Sequence, residues 1–273
     1  MNRGNPEDKQ LSKELEEHDD NFSSIVDLSI EENYKKEDRV VLWDADSLIY
    51  HCLYSGKDEL GNKNPEYTDA DLEMLQGKLS EMVLKVLNNI EKYYNILSCY
   101  IFIKGKNNFR KEIFSDYKAN RPEPSPLNQK LYDYIKIAHG AIESDSCEAE
   151  DMVYTLSKKI DHNGIIVYVD HDLEEIPSIF YNYQKNKWSK INEKEAIYNK
   201  YKKLCLSEPG DNVKTSPGIG KAYYQKNFNI DFNEAQYEKA LYQAYVKAWK
   251  GNKTKAAEML RLAKKLLLLK DMS

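Results

Sequence analysis

Four short groups of acidic residues punctuate this chain, and each falls at a predicted strand end, helix start or turn. They are Asp44; Glu148, Glu150 and Asp151; Asp170 and Asp172; and Glu208 and Asp211. A fold that gathers them in one place must offset their mutual repulsion with cations. The last group leads into Pro217-Gly218-Ile219-Gly220-Lys221, a glycine-rich turn of the kind that offers backbone N–H groups to phosphate. Metal-binding acids beside such a turn point to phosphodiester chemistry.

The 273 residues allow one large domain, or one domain with a smaller annex, and the 41% apolar content is enough for a real core. No apolar run is long enough to span a membrane. The N-terminus lacks the basic-then-apolar pattern of a signal peptide, so a cytoplasmic protein is expected. Cys52, Cys99, Cys147 and Cys205 are scattered singly, which predicts free thiols rather than a zinc site or disulfide framework. The net charge of −5 is unevenly spread: residues 1–38 hold twelve acids and five bases, which leaves the rest of the chain at +2. Setting aside the eight grouped acids, the body is strongly basic, as suits a protein that attracts a polyanion around an acidic centre.

Residues 1–38 are polar and acidic and are expected to be a disordered tail. Val40 to Trp43 reads as a buried strand that ends at Asp44, and Ser98 to Ile103 as a second. Between them Ala70 to Tyr94 carries one apolar face of a long helix through Leu75, Leu79, Met82, Val83, Val86 and Ile90. Leu127 to His139 looks helical, as does Asp145 to Ile160, with an Asp-x-x-Glu start at Asp145 and Glu148. Gly164 to Val169 is a third strand and Ser178 to Tyr183 a fourth; beyond Lys200 the chain turns helical, closing with Thr254 to Lys270. Alternating strands and helices predict an α/β fold, a central mostly parallel sheet flanked by helices. Ligands collect at the carboxyl ends of such strands, the edge from which Asp44 and Asp170 should project.

Each group also has an ordinary structural reading. Asp46 or Ser47 could cap a helix, acids favour helix N-termini, and Asp170 and Asp172 could form Asx turns. His171, between those two, should face away from them. Residues 104–126 are basic, aromatic and Pro-rich. Lys104, Lys106, Arg110, Lys111, Lys118 and Arg121 alternate there with Phe109, Phe114 and Tyr117, a mixture suited to single-stranded nucleic acid or to a solvated loop. No Ser-His-Asp or Cys-His set is evident.

In order along the chain, these pieces resemble the 5′→3′ exonuclease and flap endonuclease family with its PIN-like nuclease domain, particularly bacteriophage and DNA-polymerase-associated members. The pieces are Phe109-Arg110, Tyr117-Lys118-Ala119-Asn120-Arg121, Glu148-Ala149-Glu150-Asp151, Asp170-His171-Asp172-Leu173, and Gly210-Asp211-Asn212 leading to Pro217-Gly218-Ile219-Gly220. The resemblance implies that Asp44, Glu148, Glu150 and Asp151 hold one Mg²⁺ or Mn²⁺ ion, and Asp170, Asp172, Glu208 and Asp211 a second. It implies a helical arch over residues 104–135 that passes a free 5′ strand. In that arch Lys118 and Arg121, with Arg110 nearby, would contact phosphate, and Lys104, Lys106, Lys111 and Tyr117 the DNA. It further implies a C-terminal helical hairpin region, in which Gly218, Ile219, Gly220 and Lys221 grip duplex backbone with a monovalent cation such as K⁺. A tail of 1–38, a nuclease domain of 39–200 and a DNA-binding region of 201–273 follow from it.

The implied partner is DNA with a free 5′ end or flap, or an RNA–DNA hybrid, met by a monomer; the composition, rich in Lys, Asn, Tyr and Ile, fits an AT-rich genome such as a phage's. The alternatives are a DNA-binding relative without turnover and a PIN-type ribonuclease. In this chain Ile103 stands where the family usually has an aspartate, and Glu150 and Glu208 stand where aspartate is commoner.

Overall fold

The structure, a computed structural model, describes residues 36–54, 67–121, 123–169 and 171–273. The expected tail through residue 35, and Asp170, lie outside the described residues. Glu37 and Asp38, assigned by sequence to the tail, instead open the first strand, β1 (Glu37–Asp44).

From there the chain runs through α1 (Asp46–Tyr54), a 3₁₀ turn, α2 (Leu72–Glu91), β2 (Tyr94–Ile103), α3 (Phe109–Ile113), α4 (Pro126–His139) and β3 (Ile142–Glu143). It continues with α5 (Ala149–Lys159), β4 (Gly164–Tyr168), β5 (Ser178–Asn182), β6 (Lys187–Ile191) and α6 (Glu193–Leu206). Three further helices close the chain: α7 (Lys221–Asn227), α8 (Glu234–Ala248) and α9 (Lys253–Leu267).

One sheet carries the order β3-β2-β1-β4-β5-β6. Its first five strands pair in parallel and β6 runs antiparallel to β5. Alternation along the strands sends side chains to opposite faces. Val41, Trp43, Ile165 and Val167 join α2 and α4 through Leu75, Leu79, Val83, Leu131 and Ile135. Leu42, Phe102, Ile166 and Tyr168 face α5 through Ala149 and Val153. A separate core lies among the C-terminal helices, built on Tyr201, Leu204, Tyr224, Tyr237, Leu241 and Tyr245. Residue 200 falls inside α6, which supplies Ala196 to the sheet-facing cluster and Tyr201 and Leu204 to the helical one. One continuous helix therefore joins the two cores.

The helix expected from Asp145 begins four residues later. Ser146 has a positive φ of 59°, and Glu148 is extended at φ −91° and ψ 160°. The box that starts the helix joins Glu148 and Asp151, with the Glu148 N–H donating to Asp151 Oδ2 at 3.0 Å. β6 escaped the sequence reading because Lys187 and Lys190 interrupt its apolar pattern, although Ser189 and Ile191 are buried. β3 is too short, at two residues, to show a period.

Gly105 lies just past the end of β2. A Cβ there would sit 1.8 Å from the Ser144 carbonyl oxygen, which is backbone and cannot swing aside. We expect Gly105→Ala to lower unfolding stability by about 1–3 kcal/mol through overpacking, measurable as a fall in the denaturation midpoint.

Candidate active site

The parallel strands end on one edge, and the sequence places its acids there. β1 ends at Asp44, whose Oδ1 accepts the N–H of Asp46 at 3.1 Å as α1 begins. Asp46 Oδ1 in turn accepts the Lys104 N–H at 2.9 Å, just past the end of β2. Glu148 caps α5 and Glu150 lies in its first turn. Asp172 belongs to the 3₁₀ turn His171–Glu175 that follows β4. Glu208 and Asp211 sit on the turn after α6, closed by paired backbone bonds between Glu208 and Val213. Four separate stretches of chain thus supply one acidic cleft.

Electrostatics ties these groups together. Burial, followed by the charges of Asp46 and Glu148, pushes Asp44 up to about 8. Burial raises Glu150 well above the usual carboxylate range, and Asp172, Glu148 and Asp44 add to it. Glu208 is raised by burial, then by Asp172 and Asp211.

Four basic side chains offset part of this charge. Lys118 pairs with Glu148 and lies 3.6 Å from Asp211 Oδ1. Arg121 reaches the same Asp211 oxygen at 2.8 Å. Lys203 sits 3.2 Å from Asp172 Oδ1. Burial works against the Lys203 charge, yet Asp172, Glu175 and Glu150 outweigh it and raise its proton affinity. Glu148 is held low despite burial by Lys118 and Arg110. Asp44, Asp46, Glu150 and Glu208 form no ion pair with a described residue. Half-buried acids short of positive charge are the donor set that a hard divalent cation satisfies. Among the described residues no three His, Cys, Asp or Glu side chains already converge on one point.

Several residues fall elsewhere than the sequence reading put them. Arg110, expected near phosphate, is 2% exposed. Its Nη1 and Nη2 bond Asp151 at 2.5 and 2.8 Å, and its Nε bonds the Leu266 carbonyl at 2.9 Å. Asp151, expected as a metal ligand, is fully buried. Besides Arg110 it accepts the N–H groups of Glu148 and Lys270, so its four acceptor positions are filled. Tyr117, expected against DNA, is 1% exposed within the helical core. Its hydroxyl, with one proton to donate, lies 2.8 Å from Asp211 Oδ2 and 3.1 Å from Glu148 Oε2, and the buried ring offers no face for a base to stack on. Ile219 is also in that core, and its N–H donates to the Ser216 carbonyl rather than outward.

The remaining basic residues stay on the outside. Lys104, Lys106, Lys111 and Arg121 are exposed, and the Lys104 ammonium lies 5.3 Å above the Tyr132 ring. Gly218, at φ 77°, and Gly220 are exposed ahead of Lys221, which opens α7. His171 bonds Glu174 at 2.6 Å. Lys203 went unnoticed in the sequence, one more lysine in a lysine-rich helix. Asn108 went unnoticed too, although its side chain bonds Glu148 Oε1 at 3.1 Å.

Comparison with known proteins bears on this arrangement. The profile of the 5′-3′ exonuclease N-terminal resolvase-like domain matches residues 39–202. A 5′-3′ exonuclease of Buchnera aphidicola (subspecies Schizaphis graminum) is 28% identical over 207 residues, covering 69% of this chain and 68% of that protein. DNA polymerase I of Geobacillus stearothermophilus is 27% identical over 208 residues, 68% of this chain but 22% of the polymerase. The zinc-bound structure of T5 5′-exonuclease shares the fold, with a TM-score of 0.51 at 14% identity over 85% of this chain and 98% of that one.

The raised proton affinity of Asp44 has a consequence for stability. Folded Asp44 keeps its proton up to about pH 8, whereas the unfolded carboxyl loses it near its ordinary value of about 4. Between those limits the folded chain binds the extra proton, so this group's contribution falls as pH rises. Asp44→Asn removes the penalty, and we expect it to raise Tm by a few degrees in EDTA at pH 8. A scanning calorimeter checks this; a lower Tm would show that Asp44 stabilises the metal-free fold.

Proposed function

This chain belongs to the 5′-3′ exonuclease family, and from that premise we propose that it is a divalent-metal-dependent nuclease acting on DNA with a free 5′ end or flap, including RNA–DNA hybrids. The observation that carries the reading is the cleft in which Asp44, Glu150 and Glu208 combine raised proton affinity with no ion pair to a described residue. Lys118 and Arg121 stand directly beside it.

In this reading Asp44, Glu148 and Glu150 hold one ion, and Asp172, Glu208 and Asp211, with Asp170, hold the other. When bound, Mg²⁺ or Mn²⁺ supplies a hydroxide from water and stabilises the leaving 3′ oxygen. The chain's own groups bind and orient the phosphate. Lys118 and Arg121, which pair with Glu148 and Asp211 at the edge of the cleft, would bind the phosphate oxygens. The exposed bases Lys104, Lys106 and Lys111 guide the 5′ strand along the 104–135 arch. The 201–273 region grips the duplex through Gly218, Gly220 and Lys221, with a monovalent cation such as K⁺ at that turn. The working unit is a monomer.

A second reading rests on Ile103. It is 1% exposed within the sheet core, at the position where the family's aspartate would reach the first ion, and it favours a DNA-binding relative without turnover. One assay separates the two. A 5′-labelled flap duplex is incubated with the protein in Mg²⁺, Mn²⁺ or EDTA. Short 5′ products that need the metal support the nuclease; a gel shift without products supports the binder. Lys118→Ala should slow single-turnover cleavage by about 10²–10³-fold while duplex affinity changes little. An unaltered rate constant would remove Lys118 from the chemistry.

A further inference from the structure

The last residues of the chain do not simply trail from α9. The Leu269 N–H donates to Glu175 Oε1 at 2.7 Å, the Lys270 N–H to Asp151 Oδ1 at 2.8 Å and the Met272 N–H to Thr155 Oγ1 at 2.9 Å. Lys158 and Asp271 add an ion pair at 2.6 Å. Residues 268–272 therefore form a strap that joins α5 to the 3₁₀ turn carrying Asp172.

Arg110 lies beneath this strap and gives it a second anchor. Its donors reach the carbonyls of Leu266 at 2.9 Å and Leu268 at 3.0 Å as well as both Asp151 oxygens. Its remaining N–H side faces Glu148 Oε2 at 3.7 Å. Asp151 passes the constraint on, because its Oδ2 also holds the Glu148 N–H. Asn108, whose side chain caps Arg110's own helix, bonds the Glu148 carboxylate. Loss of the guanidinium would leave Asp151 charged, buried and free to rotate. The start of α5, with Glu148 and Glu150 on it, would lose its fixed direction.

We propose that Arg110 is a positioning residue and that residues 268–272 belong to the working site: together they lock Asp151 and so aim Glu148 and Glu150 into the cleft. This rests on the nuclease reading above, and it assigns the C-terminal strap a part in cleavage. Outer partners of metal ligands act in this manner, and their removal typically costs about 10–100-fold in metal affinity or activity.

Two changes test the lock from opposite sides. Arg110→Ala removes the guanidinium, and Lys270→Pro removes the backbone N–H that shares Asp151 Oδ1 with it. Each is measured for Mn²⁺ binding by calorimetry without DNA, for single-turnover flap cleavage, for duplex affinity and for Tm. We expect Mn²⁺ binding or the rate constant to fall by about 10–100-fold with duplex affinity little changed. Guanidinium ion should restore part of the loss in Arg110→Ala. Lys270→Ala, which keeps the N–H, should fall less than Lys270→Pro.

Parental Mn²⁺ binding and rate in both folded variants would overturn the proposal. So would a loss of Tm and duplex affinity in step with the rate, unrelieved by guanidinium. If Arg110→Ala fails to fold, the Lys270 pair decides. An unaltered protein that binds Mn²⁺ but cuts nothing refutes the nuclease reading alone, and the Mn²⁺ titrations still judge the lock; one that binds no Mn²⁺ refutes both.

Discussion

Repulsion among carboxylates at the carboxyl edge of the sheet is the constraint around which this molecule is organised. Parallel strands β1 and β4 and the helices beside them deliver acids to a common edge, because side chains at strand ends and helix starts point there. The charge so gathered is balanced unequally. Glu148, Asp172 and Asp211 have lysine or arginine partners. Asp44 and Glu150 are half-buried with their proton affinities raised, the state of acids whose charge is not fully met. A cleft of this kind stores electrostatic work in the fold, and divalent cations together with a phosphate are well suited to relieve it.

The same acidic motif divides by environment into two kinds of residue. In Glu148-Ala149-Glu150-Asp151 the two glutamates face the cleft, while Asp151 turns inward to a guanidinium and two backbone N–H groups. One residue of helix rotation separates Glu150 from Asp151, and that rotation decides which acid is open and which is structural. The basic segment divides in the same way. Lys118 and Arg121 border the cleft, whereas Arg110 and Tyr117 are sealed inside and hold the acids from behind. Lys118 itself has a positive φ of 56°, and its N–H is bonded to the Asp211 carbonyl at 2.9 Å. The loop that presents it is therefore docked on the turn that carries the last acid group.

Much of this was legible in the sequence. Short continuous apolar runs placed β1, β2 and β4, a 3.6-residue period placed α2 and α4, each within a few residues, and their alternation predicted the parallel sheet. Asp44 could be placed at its edge because it ends a strand, and the Glu148 group because it starts a helix. What could not be read was direction. Nothing in Phe109-Arg110 or in Tyr117 tells whether a side chain faces solvent or core, since that depends on α9 and the strap arriving from more than a hundred residues away. Lys203 was hidden because a lysine on a lysine-rich helix looks like solvated surface until tertiary packing sets Asp172 against it. β6 was hidden by its own lysines.

The central claim is that divalent ions, rather than the lysines alone, complete this cleft. Anomalous diffraction from crystals soaked in Mn²⁺ tests it most directly. The account predicts manganese peaks bordered by Asp44 and Glu150 and by Asp172 and Glu208, with Lys118 and Lys203 drawn away from their acids and the Arg110–Asp151 pair intact. A map without manganese in the cleft, with Lys118 still on Glu148 and Lys203 still on Asp172, would contradict it.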